Sequence, residues 1–129
     1  MSNTEATLPA SERLLELHRC LESRTGFDQV LAALDSGGQA TVDGVWGSSC
    51  ALLAAALTQH APGPLLVVVA KPSRLDDLSD DLSLFTQVSS DCFPAWESEP
   101  GERILVDEIY GDRPRLLKML AGGDWPPII

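Results

Sequence analysis

Apolar residues recur every three to four positions in several parts of the chain, which is the pattern of helices that bury one face. One helix is predicted to begin at Ser11, a residue type that favours helix starts, and to end at Gly26. A second helix is predicted from Phe27 to the glycine pair at 37–38. Together with the polar residues before them, these helices form a predicted N-terminal tail and helical extension over 1–38.

After this extension, short apolar runs alternate with helical patterns. Strands are predicted at 39–43, 65–70 and 90–93, with an Ala/Leu-rich helix over 50–60 and another helix that opens at Pro72 and Ser73. Such alternation is typical of right-handed βαβ units on a parallel sheet. The unbroken Leu/Val run at 65–70 predicts a strand that is covered on both faces. The predicted fold class is therefore α/β, with an open, mostly parallel sheet flanked by helices over 39–129.

The pattern is weaker beyond Pro94. Residues 104–120 have a helical pattern but contain Gly111 and Pro114, and this interruption predicts two helices. The last four residues, 126–129, are predicted to begin a further buried strand. Because this strand would be too short to pair stably, the domain is predicted to be truncated at its C-terminus.

The charge of the chain excludes one class of partner. Nine Lys and Arg side chains against nineteen Asp and Glu side chains give a net charge of −10, which repels the phosphate backbone of nucleic acids. Direct binding of nucleic acid is therefore not expected. Four carboxylates lie close together on one predicted helix but lack the glycine-turned loop of a calcium site. A solvated face is predicted for Asp76, Asp77, Asp80 and Asp81.

Length and cysteine spacing set further limits. A chain of 129 residues fits one domain and excludes a two-domain enzyme. Its apolar stretches are far shorter than the ~20 residues that cross a bilayer, and its first residues lack a signal-peptide pattern, so a cytoplasmic protein without membrane contact is predicted. The three cysteines are too far apart in sequence for a metal knuckle. Reduced and mostly buried thiols are predicted for Cys20, Cys50 and Cys92.

A loop of small residues joins the first predicted strand to the Ala/Leu-rich helix, at the position where P-loop proteins hold phosphates. The P-loop pattern G-x-x-x-x-G-K-[ST] begins here at Gly44. Ser49 stands at the second glycine, Cys50 at the lysine and Ala51 at the hydroxyl that binds Mg²⁺. The prediction is a degenerate P-loop that holds no cofactor, formed by Gly44, Gly47, Ser48, Ser49, Cys50 and Ala51.

Cys50 has a second interpretation, as a nucleophile activated by the N-terminus of the helix. No other cysteine lies near it in sequence, and no motif links it to His18 or His60. The alternative for Cys50 is a small core residue. For His60, at the predicted end of the helix, the expected role is a favourable partner of the helix dipole.

Two aromatic residues surround a proline just after the third predicted strand. Because α/β proteins place their sites at the carboxyl edge of the sheet, this segment is a candidate interaction loop. The loop comprises Phe93, Trp96, Glu97 and Pro100. Structural packing of Trp96 is the alternative.

The order of these segments resembles the N-terminal region of the bacterial transcription-repair coupling factor family, also called Mfd. The resemblance covers 41–120. It rests on the P-loop remnant, the Gly-Pro-Leu-Leu-Val-Val-Val segment at 63–69, the helix that ends Leu82-x-x-Phe85, and the Phe-Pro-Ala-Trp-Glu segment at 93–97. The chain departs from the family's usual W-E-x-L-P-Y-D at Glu99, Gly101 and Glu102.

The resemblance implies a UvrB-like module with a partial RecA-like layer, in which the Walker motif has decayed and ATP is not hydrolysed. It implies a non-catalytic scaffold in transcription-coupled nucleotide-excision repair. The expected partners are the other domains of the parent protein, which include an ATP-driven DNA translocase; UvrA and RNA polymerase are reached only through the full-length protein. Two alternatives remain: a small diverged nucleotide- or phosphate-binding α/β enzyme, and an acidic adaptor domain unrelated to repair.

Overall fold

Helices dominate the computed structural model, which describes residues 9–95 and 107–129. The helices are α1 (Ala10–Leu15), α2 (Leu17–Glu22), α3 (Thr25–Asp35), α4 (Ser48–Thr58), α5 (Arg74–Phe85) and α6 (Asp107–Gly122). Helix accounts for 55% of the structure and strand for 3%, and the described residues form no sheet. The predicted α/β fold with an open, mostly parallel sheet is therefore wrong, and so is the partial RecA-like layer that the resemblance implied.

Isolated backbone bridges take the place of the predicted sheet in the described residues. Ile128 forms one parallel bridge with Leu65 and another with Ser90. A ladder needs backbone N–H donors at successive positions, but Pro126 and Pro127 have none. The segment 126–129 lies between the other two and therefore has backbone N–H donors only at residues 128 and 129. In the part of the chain that the structure describes, strand pairing does not extend beyond the bridges. The segment predicted as the first strand, 39–43, is neither strand nor bridge.

The core lies between α4 and α5. Three buried alanines of α4 belong to this core and allow the two helices to approach closely: Ala51, Ala54 and Ala55. Leu82 and Phe85 of α5 pack against this alanine face together with Ile128. The predicted helices over 50–60 and after Pro72 are confirmed, with small shifts in their ends.

Helix α3 ends as its glycine pair predicts. Gly37 has a positive φ of 74°, and its N–H donates to Leu34 O at 2.9 Å. The N–H of Gly38 donates to Ala33 O, also at 2.9 Å. These two bonds form a Schellman motif, which satisfies the last carbonyls of the helix.

The region before α3 folds as two short helices, and the prediction of one helix from Ser11 is wrong. Helix α1 ends at Leu15, and α2 starts at Leu17; between them lies Glu16, where φ is −87° and ψ is −6°. Leu14 and Leu17, on either side of the break, both pack against the core. The N-terminal helices thereby contact α4 and α5.

Helix α6 continues through Gly111 and Pro114, so the prediction of two helices is wrong here as well. An interior proline costs a helix about 3 kcal/mol because it removes an N–H donor and crowds the preceding turn. Leu116 follows the proline and is fully buried. Burial of a leucine stabilises by roughly 1.5–3 kcal/mol, which offsets most of that cost.

The helices are short compared with a bilayer. The longest, α6, has 16 residues, whereas a membrane span needs about 20 mostly apolar ones. Within the described ranges, no helix is both long enough and apolar enough to cross a membrane.

Candidate functional site

The predicted P-loop is a tight turn at the start of α4. Gly44 and Gly47 have positive φ angles of 76° and 57°, a region that favours glycine because it lacks a side chain. The N–H of Ser49 donates to Trp46 O at 3.3 Å, and the N–H of Cys50 donates to Gly47 O at 3.0 Å. Two of the N–H groups that a phosphate would use at a helix N-terminus thus have partners within the loop itself.

The two positions that decide P-loop chemistry face different surroundings. Cys50, at the lysine position, is exposed, as are Ser48 and Ser49. Ala51 is fully buried in the apolar cluster that contains Phe85. A hydroxyl at position 51 would therefore meet apolar side chains and not a magnesium ion. Triphosphate binding requires a metal-binding hydroxyl that faces the ligand, but position 51 lies on the buried side of α4. The orientation of this position therefore differs from that requirement, as the residue types do.

The thiols are more accessible than their sequence pattern predicts. All three are exposed, so burial is a wrong prediction for Cys20, Cys50 and Cys92. In α4 the alanines take the buried face and leave Cys50 outside it. His18 Nδ1 lies 2.8 Å from Leu15 O. His60 Nε2 lies 3.4 Å from Glu22 Oε1, and α4 separates it from Cys50, so the structure does not assemble a Cys–His pair.

The aspartates of α5 form a mainly solvated face, as predicted. Asp76, Asp77 and Asp80 are exposed, and Asp81 is half-buried. In the parts of the chain that the structure describes, no group of three or more His, Cys, Asp or Glu side chains is placed to hold a metal ion.

An apolar cleft of about 420 Å³ lies beside the extended segments at 65–70 and 90–95. Its walls also include α5 and one side chain of α6. Apolar lining residues include Leu66, Val68, Leu75, Leu78 and Phe93, and the polar ones are Ser79, Ser90, Asp91, Cys92 and Arg113. Volumes in this range are typical of ligand and peptide clefts.

The predicted interaction loop contributes one described residue to the cleft, because Trp96, Glu97 and Pro100 lie outside the described residues. Phe93 is 36% exposed. The guanidinium of Arg113 lies 4.0 Å from the centre of its ring, and Arg113 Nη1 donates to Pro94 O. Sequence reasoning missed Arg113, since no motif links an arginine on α6 to an aromatic residue so far before it.

Negative charge surrounds Cys92 at the cleft wall. Although Cys92 is exposed as a residue, partial desolvation of its thiol at the wall raises its pKa, and the charges of Asp76, Asp91 and Asp112 raise it further. Arg115 Nη2 donates to Asp91 Oδ1 at 2.6 Å, so one of these charges is partly neutralised. The thiol is therefore protonated and weakly nucleophilic near neutral pH.

The Leu/Val run has one bare face, and the prediction that both faces are covered is wrong. Leu65 and Val67 pack against the core. Leu66 and Val68 are 68% and 82% exposed, because alternate side chains of an extended segment point to opposite faces. Leu66 and Val68 therefore place two exposed apolar side chains on one face of the segment.

Compared with known proteins, the chain matches no family model, no curated protein and no solved structure.

Proposed function

We propose that this chain is a non-catalytic protein-interaction module of the transcription-repair coupling factor type. It acts as a scaffold in transcription-coupled nucleotide-excision repair, in the cytoplasm. Its direct contacts are with other domains of the parent protein, and UvrA and RNA polymerase are reached through the full-length protein. The resemblance of 41–120 to that family motivates the assignment to repair.

The exposure of Leu66 and Val68 carries the proposal of protein interaction. Both residues are more than two-thirds exposed, at 68% and 82%, whereas Leu65 and Val67 of the same segment pack on the core. Burying such a pair against a partner is worth about 25 cal/mol for each Å² of apolar surface removed from water. A protein partner therefore gains free energy here without any catalytic group.

The geometry of the loop supports a non-catalytic role. A thiol is exposed where a P-loop has its lysine, and Ala51 lies in the core where a P-loop has its metal-binding hydroxyl. The net charge of −10 adds repulsion for triphosphates and for nucleic-acid backbones. These features favour a partner of polypeptide chemistry.

The melting temperature of the chain with ATP·Mg²⁺ tests the proposal. We expect no change at millimolar nucleotide, because a ligand raises the melting temperature only if it binds the folded state. The variant Cys50→Lys is the matched test of the loop, since position 50 is exposed and accepts a lysine without disturbing the core. A saturable rise with the unaltered chain would contradict the proposal and favour the diverged nucleotide-binding enzyme.

A further inference from the structure

The extended Leu/Val run has an open backbone edge as well as a bare face. The N–H groups of Leu65 and Val67 donate to carbonyls of the 127–129 segment at 2.9 and 2.7 Å. Backbone groups of successive residues in an extended chain point to opposite sides. Those of Leu66 and Val68 therefore point away from the bridges, and within the described residues they have no backbone partner.

This edge lacks the usual protection against strand pairing. Natural proteins cover open edges or place charges, prolines and bulges on them. Here Pro64 precedes the run and Lys71 follows it, and every residue between them is apolar. Valine and leucine also pair well across strands. The edge formed by Leu66 and Val68, called the 66/68 edge below, is therefore suited to receive a strand.

Acidic side chains border the same surface. Helix α5 lines the cleft beside Leu66 and Val68 through Leu75, Leu78, Ser79 and Leu82. Its exposed Asp76 is near enough for its charge to act on Cys92 in the cleft wall. Asp91 lies on the other wall of the cleft, and Asp112 is near enough for its charge to act on Cys92. Arg115 is paired with Asp91 and Arg113 also lines the cleft, so the negative charge that acts on an approaching partner is mainly the net charge of −10 of the whole chain.

The charge distinguishes between two occupants of the edge. A second copy of the chain would bring another net charge of −10, and like-charged surfaces repel on approach. A segment with Lys or Arg side chains is attracted to the acidic chain, and Asp76 and Asp91 are the carboxylates beside the cleft that it can meet. Charge complementarity therefore favours a basic partner over self-association.

We propose that the 66/68 edge binds one extended segment of a partner polypeptide in which apolar residues alternate with Lys or Arg. The backbone of that segment pairs with Leu66 and Val68, its apolar side chains cover theirs, and its basic side chains reach Asp76 and Asp91. This mode of recognition is strand addition. The inference rests on the proposed function and deepens it by naming the chemistry of the partner.

A synthetic peptide of alternating lysine and valine, about seven residues long and blocked at both ends, is the probe. It is titrated into the ¹⁵N-labelled full chain while the backbone amide shifts are followed by NMR. We expect saturable shifts centred on Leu66 and Val68. A peptide of alternating glutamate and valine should not bind, and neither should the lysine–valine peptide with every backbone nitrogen methylated, because it keeps the charges but cannot pair as a strand.

Variants locate the site. Replacing both Leu66→Lys and Val68→Lys should weaken binding of the lysine–valine peptide by at least about tenfold. Both positions are highly exposed, so the fold should be retained, and unchanged amide shifts elsewhere would verify this. Leu117→Lys is the matched control, since Leu117 is 54% exposed and lies on α6; its dissociation constant should stay within about twofold.

Several outcomes would overturn strand addition. They are no binding up to about 2 mM peptide, equal binding of the methylated peptide, and shifts confined to another surface. Concentration-dependent shifts at Leu66 and Val68 without peptide would assign the edge to a second copy instead. If the peptide does not bind and ATP·Mg²⁺ leaves the melting temperature unchanged, strand addition is contradicted but the proposed interaction module is not. A rise in melting temperature with nucleotide would contradict the interaction module itself.

Discussion

Ile128 is bridged in parallel to Leu65, and its side chain is 2% exposed in the α4–α5 core. This contact ties the last residues of the structure to the Leu/Val run and positions the 66/68 edge. Ile128→Ala should lower the free energy of unfolding by about 2–5 kcal/mol because it leaves a cavity. The neighbouring Ile129 is half-buried, so Ile129→Ala should cost clearly less. Urea denaturation of both variants makes the comparison, and equal losses would contradict it.

A threonine should affect stability very differently at two adjacent positions in the first turn of α4. Ala51→Thr adds volume and a hydroxyl to a fully buried site, and we expect a loss of about 1–3 kcal/mol in the free energy of unfolding. Cys50→Thr changes an exposed position and should stay within about 0.5 kcal/mol. The same urea titrations measure both. If Ala51→Thr leaves the free energy of unfolding unchanged, position 51 is not in the core, and the side of α4 that contains it is not buried.

Three helices could be predicted from the sequence with nearly correct ends. The spacing of apolar residues and the glycine pair after α3 identify that helix, because a Schellman motif needs a residue with positive φ. Helix α4 could be predicted from the positions of its alanines and leucines. Helix α5 could be predicted from the Pro-Ser pair before it. The spacing of apolar residues and the residues that start or stop a helix act within a few positions of each other. They lie within or next to the helix that they predict, so the sequence alone is sufficient to identify it.

The sheet and the site could not be predicted in the same way. An apolar run such as 65–70 indicates an extended segment, but pairing depends on donors in a distant segment, and Pro126 and Pro127 remove them. Continuation of α6 past Pro114 depends on the burial of Leu116, a tertiary effect. The contact of Arg113 with Phe93 likewise joins elements that no motif connects.

The packing of α3 depends on one aromatic side chain. Phe27 is 4% exposed, and its ring centre lies 5.8 Å from that of His60 in an edge-to-face arrangement. Phe27→Leu should lower the free energy of unfolding by about 1–2 kcal/mol. Phe93→Leu is the control of the same residue type on the surface and should cost below about 1 kcal/mol, mainly through its contact with Arg113. The reverse order of the two losses would contradict the placement of α3.

The reactivity of Cys92 should depend on its neighbouring carboxylates. Its pKa is raised by burial and by negative charge, so less thiolate is present at pH 8 and alkylation by iodoacetamide should be slower than for free cysteine. Asp112→Asn removes one of these charges, lowers the pKa of Cys92 and should speed alkylation. Mass spectrometry of digests reports each cysteine separately. Alkylation unchanged by Asp112→Asn would show that this charge does not act on the thiol.

The raised pKa also has a consequence for stability. The folded state favours the neutral thiol of Cys92, so its contribution to stability is complete at pH values below the ordinary pKa of a cysteine. That contribution is lost as the pH rises through the raised value in the folded state. The Cys92→Ser variant, which does not titrate in this range, should show a smaller decline of melting temperature in alkaline buffer.

Amide hydrogen exchange at four consecutive residues tests the open edge most directly. The N–H groups of Leu65 and Val67 are bonded to the 127–129 segment, and those of Leu66 and Val68 face outward. We expect Leu66 and Val68 to exchange at least about tenfold faster than Leu65 and Val67 in the full chain, because exposed amides without a partner exchange without opening of the fold. Equal protection of all four would mean that the edge is already covered, and would contradict its assignment as the surface that binds a partner.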